Sequence, residues 1–196
     1  MESYTLFNFS VILFLTSSES VRTCVPLSSI TAMRSAILSS DCSLAYSVAA
    51  LIYTPLTKKA MKIAYDAHHG QQDAGGVPYV LHAAHVAEQM KEEITTCAAL
   101  LHDVVEDTEL TLEQLEQEFP PEVTKLVALL THDPREDYFE YIRRIKGNHA
   151  AKQIKLADLE HNSDESRLSG FALVTEAKQE AWRKKYKKAR EILMEE

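Results

Sequence analysis

From about residue 57 onward, apolar and polar positions follow a helical interval. Ala60, Ile63, Ala64 and Ala67 recur at three and four residues, which predicts a helix that Thr57 caps and that runs to His69. Gly70, Gly75, Gly76 and Pro78 then mark a loop. Further helices are predicted over residues 79–90 and 94–104. The run Cys97-Ala98-Ala99-Leu100-Leu101 is apolar nearly all round, so the second of these should lie at the centre. Thr111 followed by Gln114 has the form of a capping box for a helix ending near Phe119. Pro120-Pro121 stop it, and Pro121 suits the first turn of the next helix, to Leu130. Helices over 137–145 and 148–159 follow, the latter capped by Asn148. The last, over 174–194, sets Trp182, Tyr186, Ala189 and Leu193 on one face at spacings of 4, 3 and 4. The pattern is that of an all-α chain without internal repeats.

Residues 1–50 break this pattern. They hold five charged side chains (Glu2, Glu19, Arg22, Arg34, Asp41) of the chain's 21 Lys+Arg and 29 Asp+Glu, and are rich in Ser and Thr. The run Val11-Ile12-Leu13-Phe14-Leu15 has the apolarity of a signal peptide, but Glu2 stands where positive charge is required and no small-x-small cleavage site follows closely. It also falls far short of the roughly 20 residues that cross a bilayer. The segment is expected to be either poorly ordered or a spurious extension, with translation starting near Leu51, and the domain to occupy 51–196.

Composition narrows the function. Five Gly and six Pro disfavour a loop-rich β architecture, and a net charge of −8 disfavours a general nucleic-acid binder. That charge also means that a polyanionic substrate would need local Lys/Arg or a bound cation. Cys24, Cys42 and Cys97 form no disulfide framework; Cys97 reads as a buried free thiol, and a reducing, cytoplasmic setting is expected.

The chemistry concentrates in Leu101-His102-Asp103-Val104-Val105-Glu106-Asp107. An unpaired carboxylate at the end of a buried helix costs several kcal/mol, so Asp103 needs a partner, and a divalent cation is the natural one. His82 and Asp158 follow apolar stretches of their own. Two imidazoles and two carboxylates suit Mn, Fe, Co or Zn better than Ca, and lack the thiolates of a structural zinc site. Glu106 and Asp107 could serve as an acid–base pair, or form a solvated helix end. Lys155 either snorkels from a buried helix or contacts phosphate, and Asn162 either faces the site or caps its helix. His68 reads as a packed or hydrogen-bonded helix residue. His85, one turn after His82, could line the site; His69, His132, His149 and His161 read as surface or supporting groups. The basic run from Arg183 to Arg190 reads as a solvated face.

Four segments together resemble the HD hydrolase domain of the RelA/SpoT family: Ala67-His68-His69-Gly70-Gln71; Gly76-Val77-Pro78-Tyr79-Val80-Leu81-His82; Ala98 to Thr108; and Lys155-Leu156-Ala157-Asp158 with Asn162. The resemblance covers about residues 55–170. It implies a single-domain α-helical HD bundle and metal binding by His82, His102, Asp103 and Asp158. It also implies a catalytic Glu106–Asp107 pair, Mn²⁺ as cofactor, and removal of the 3′-pyrophosphate from (p)ppGpp, as in the small alarmone hydrolases. The small-molecule partner would be a nucleotide, with no nucleic acid or membrane. The alternatives are hydrolysis of another nucleotide, or a sensor that holds metal and nucleotide without turnover. The chain departs from the family at Asp73 and Ala74, where basic residues are usual, at Asp164 and Glu165 after Asn162, and at Ala83 after the metal-binding His. Several of these changes remove positive charge from the substrate side.

Overall fold

The computed structural model describes residues 51–168 and 174–195. The expectations for residues 1–50 lie outside them. Among the described residues all regular structure is helical: α1 Pro55–Ala67, α2 Val80–Glu88, α3 Glu93–Leu101, α4 Val104–Asp107, α5 Leu112–Glu116, α6 Pro121–Leu130, α7 Tyr138–Lys146, α8 His149–Ser163 and α9 Glu176–Met194. None is long and apolar enough to cross a membrane.

Helix α3 is central, as its all-apolar circumference requires. Every residue from Thr95 to Leu101 is buried, and α1, α2, α6 and α8 pack around it. With no solvent face, Leu100 and Leu101 each stand to lose about 2–5 kcal/mol on truncation to Ala. Cys97 is a fully buried free thiol, and burial pushes its pKa up to about 12.

The helix starts at Thr111, Pro121 and Asn148 are as expected. Thr111 and Gln114 form a reciprocal capping box, Pro121 opens α6, and Asn148 accepts from Ala151 N–H. The first helix is corrected. Its cap is Thr54, with Pro55 in the first turn, and Thr57 is the other half of a capping box: Thr57 N–H donates to Thr54 Oγ1 and Thr54 N–H to Thr57 Oγ1. A second correction bears on the chemistry. The helix expected over 94–104 ends at Leu101, and α4 starts only at Val104. Asp103 between them has φ −102° and ψ −4°. Consecutive side chains on an unbroken helix diverge by about 100°; this break lets His102 and Asp103 turn to one point.

Candidate metal centre

Three segments converge on the end of α3. Helix α2 brings His82, the break after α3 brings His102 and Asp103, and one face of α8 brings Lys155, Asp158, His161 and Asn162, one turn apart. His82 Nε2 lies 3.2 Å from Asp158 Oδ1 and 3.6 Å from Asp103 Oδ2. His102 Nε2 lies 3.0 Å from Asp103 Oδ2 and 3.8 Å from Asp158 Oδ1. Despite these distances, neither buried Nε2 makes a hydrogen bond. Donor atoms of His82, His102 and Asp158 all lie within 4.8 Å of one another and could hold a metal ion. Asp103 adjoins these three, its Oδ2 also accepting from the Tyr79 hydroxyl at 2.5 Å.

Each of these donors is held from behind. His102 Nδ1–H donates to the Ala99 carbonyl at 2.7 Å, which leaves Nε2 for the site. Asp158 accepts from Asn162 Nδ2 at 2.6 Å and pairs with Lys155 Nζ at 2.7 Å. Lys155 is thus committed to Asp158, and Asn162 both bonds the carboxylate and lines the pocket beside it. His82 Nδ1 meets His161 Nδ1.

The charges of the site oppose the effect of its burial. Burial alone would neutralise these groups, yet Lys155 and the imidazoles hold the Asp158 carboxyl well below its ordinary range. Burial likewise disfavours a charged His102, but the Asp103 and Asp158 charges overcome it and raise its pKa. A proton there supplies positive charge that a metal ion would supply instead. Burial, then Arg167, His82 and His85, pushes His161 down to about 4, so it is neutral near pH 7.

Glu106 and Asp107 stand on α4 at the rim, open to solvent but crowded enough that burial raises both carboxyl pKa values. His132 N–H anchors Glu106 Oε2 at 2.9 Å. His68, 3% exposed, gives Nδ1–H to Gln71 Oε1, and Gln71 donates on to the Asp107 carbonyl. The basic run is less simple than a solvated face: Lys185 Nζ sits 3.8 Å from the centre of the Tyr138 ring.

A pocket of about 260 Å³ opens beside His82, lined among others by Tyr79, Asn162, Arg167, Trp182 and Tyr186. The acidic departure at Asp73 is neutralised here. Asp73 accepts from Gly75 and Val77 N–H and pairs with Arg167. The sequence offered no sign of that pair, 94 residues apart. Tyr79 was also missed as a site residue; His161, read from the sequence as a surface or supporting group, follows Asp158 by one helical turn and stands behind His82.

The HD domain family matches residues 60–161. The chain is 37% identical over 120 residues to the bifunctional (p)ppGpp synthase/hydrolase SpoT of Escherichia coli K12, an overlap of 54% of this chain and 17% of that protein. It is 35% identical over 115 residues to a guanosine-3′,5′-bis(diphosphate) 3′-pyrophosphohydrolase of Haemophilus influenzae, covering 51% and 17%. The chain therefore spans about a sixth of the length of these relatives. Among solved structures, one described as a metazoan ortholog of SpoT that hydrolyzes ppGpp superposes with a TM-score of 0.63 at 29% identity, covering 74% of this chain and 89% of that one.

Proposed function

The chain belongs to the HD domain family, and from that premise we propose that it removes the 3′-pyrophosphate from a guanosine polyphosphate of the ppGpp type, giving GDP and pyrophosphate. His82, His102, Asp103 and Asp158 would hold one divalent ion, Mn²⁺. The observation that carries this is the pair of buried, unbonded Nε2 atoms of His82 and His102 facing two carboxylates. Two imidazoles and two carboxylates are a donor set that Mn²⁺ accepts. When bound, the ion supplies Lewis acidity and positive charge opposite the phosphates.

The chain's own groups do the rest. Glu106 and Asp107, whose raised pKa values suit proton transfer, orient the attacking water, take its proton, and return one to the leaving ribose oxygen. Lys155 keeps Asp158 ionised. Trp182 and Tyr186, stacked with centroids 6.4 Å apart at the pocket wall, offer aromatic surface to a nucleobase. The hydrolytic activity of the SpoT relatives and of the metazoan structure supports the substrate.

One observation favours a second reading, hydrolysis of a different nucleotide. Asp73 and Ala74 stand where the family resemblance implies basic residues, and Arg167 is already paired. Incubating the protein with Mn²⁺ and a nucleotide panel separates the two. Pyrophosphate and GDP from ppGpp are expected. Products from another nucleotide alone would establish the second reading, and nucleotide binding without products would leave a sensor.

A further inference from the structure

His161 and His85 are histidines that the proposed reaction does not use, and their rings lie in series behind His82. The His82 and His161 rings lie 4.8 Å apart at 37°, and the His161 and His85 rings 4.3 Å apart at 31°. His82 Nδ1 and His161 Nδ1 are 2.6 Å apart. Two ring nitrogens at that separation share a single hydrogen, one donating and the other accepting. Which one donates follows from the far side of His82. There Nε2 is buried, makes no hydrogen bond, and faces Asp158 and Asp103. An imidazole that offers Nε2 to a metal ion keeps its proton on Nδ1.

We propose that His161 is a positioning residue for the metal site: its Nδ1 accepts from His82 Nδ1–H and so fixes both the tautomer and the direction of the ligating ring, while His85 braces its outer face. This rests on the reading of His82 as a metal ligand. The arrangement differs from the support of His102, whose Nδ1–H meets the Ala99 carbonyl. A neutral imidazole adds no negative charge to a centre that already holds Asp103 and Asp158. One turn of α8 thereby supplies both Asp158 and the group that aims His82. Arg167 Nη1, bonded to the His161 carbonyl at 2.7 Å, secures the end of that helix.

The test is calorimetric titration of Mn²⁺ into the full chain and its variants, with thermal midpoints of the metal-free proteins recorded alongside. His161→Phe keeps a ring but removes the acceptor, and is expected to weaken Mn²⁺ binding about 10–100-fold. His161→Asn places an amide oxygen near the position of Nδ1 and should recover most of that loss. A role in packing alone predicts the opposite order, because Phe fills the space better than Asn. His161→Phe with wild-type affinity, or His161→Asn as weak as His161→Phe, overturns the proposal. Should His161→Phe fail to fold, His161→Asn against His161→Ala makes the same comparison. A wild-type protein that binds no Mn²⁺ removes the metal reading itself, which is a different outcome from a metal site indifferent to His161.

Discussion

Lys155→Met asks whether this ammonium serves the fold and the metal ligand or the substrate. The side chain is 13% exposed and its partner Asp158 5%, with Nζ–Oδ2 at 2.7 Å. Methionine keeps the stem's packing and removes the charge alone. Stranding one partner of a buried pair costs about 3–5 kcal/mol. Asp158 keeps the Asn162 N–H and the neighbouring imidazoles, which places the cost near the lower end, about 3 kcal/mol. For a unit the size of Ser47–Glu196, that lowers the thermal midpoint by roughly 6–12 °C. The loss is expected in EDTA. Saturating Mn²⁺ should shrink it, because the ion supplies positive charge to the same carboxylate from its Oδ1 side. The assay is a thermal melt of wild type and variant with EDTA and with Mn²⁺, beside KM for the nucleotide. An EDTA midpoint within about 2 °C of wild type, less than 1 kcal/mol, with a raised KM would refute the reasoning and assign Lys155 to the phosphates.

Three further outcomes are expected. Glu106→Gln retains stoichiometric Mn²⁺ while turnover falls about 10²–10⁴-fold; undiminished turnover would remove Glu106 from the reaction. Asp73→Asn is less stable than wild type at pH 7. Burial alone would raise the Asp73 pKa, but the Val77 and Gly75 N–H groups and Arg167 hold it below its ordinary value. The carboxylate's contribution is therefore present above about pH 4 and fades as pH falls through the lowered folded value. Urea midpoints of the two proteins should approach each other in acid, and a constant gap would mean that the charge is not responsible. Thr54→Ala costs about 1 kcal/mol of urea stability through loss of the α1 cap, and an unchanged midpoint would place the helix start elsewhere.

What the sequence made legible was local. The capping box at Thr111 and the turn-forming Pro121 announce helix starts within three residues, and the all-apolar 97–101 run announces the central helix. The first cap was misplaced because two threonines compete, and Pro55, which suits a first turn, was the decisive mark. Candidate ligands stood out because each charged or polar side chain ends an apolar stretch. The break between α3 and α4 carried no Gly or Pro to reveal it. Illegible were the contacts that support the ligands across long separations: Tyr79 on Asp103 and His161 on His82, 24 and 79 residues apart. Tertiary packing alone creates such contacts. Lys155 and Asp158 are only three residues apart on one helix, so their pairing could have been anticipated.

His82, His102, Asp103 and Asp158 are proposed to hold one ion. Anomalous scattering from Mn²⁺-soaked crystals tests it most directly. One peak is predicted between His82 Nε2, His102 Nε2 and the carboxylates of Asp158 and Asp103, and it should vanish on chelation. A peak anchored by other residues, or none in crystals that still turn over ppGpp, would contradict the four-ligand site.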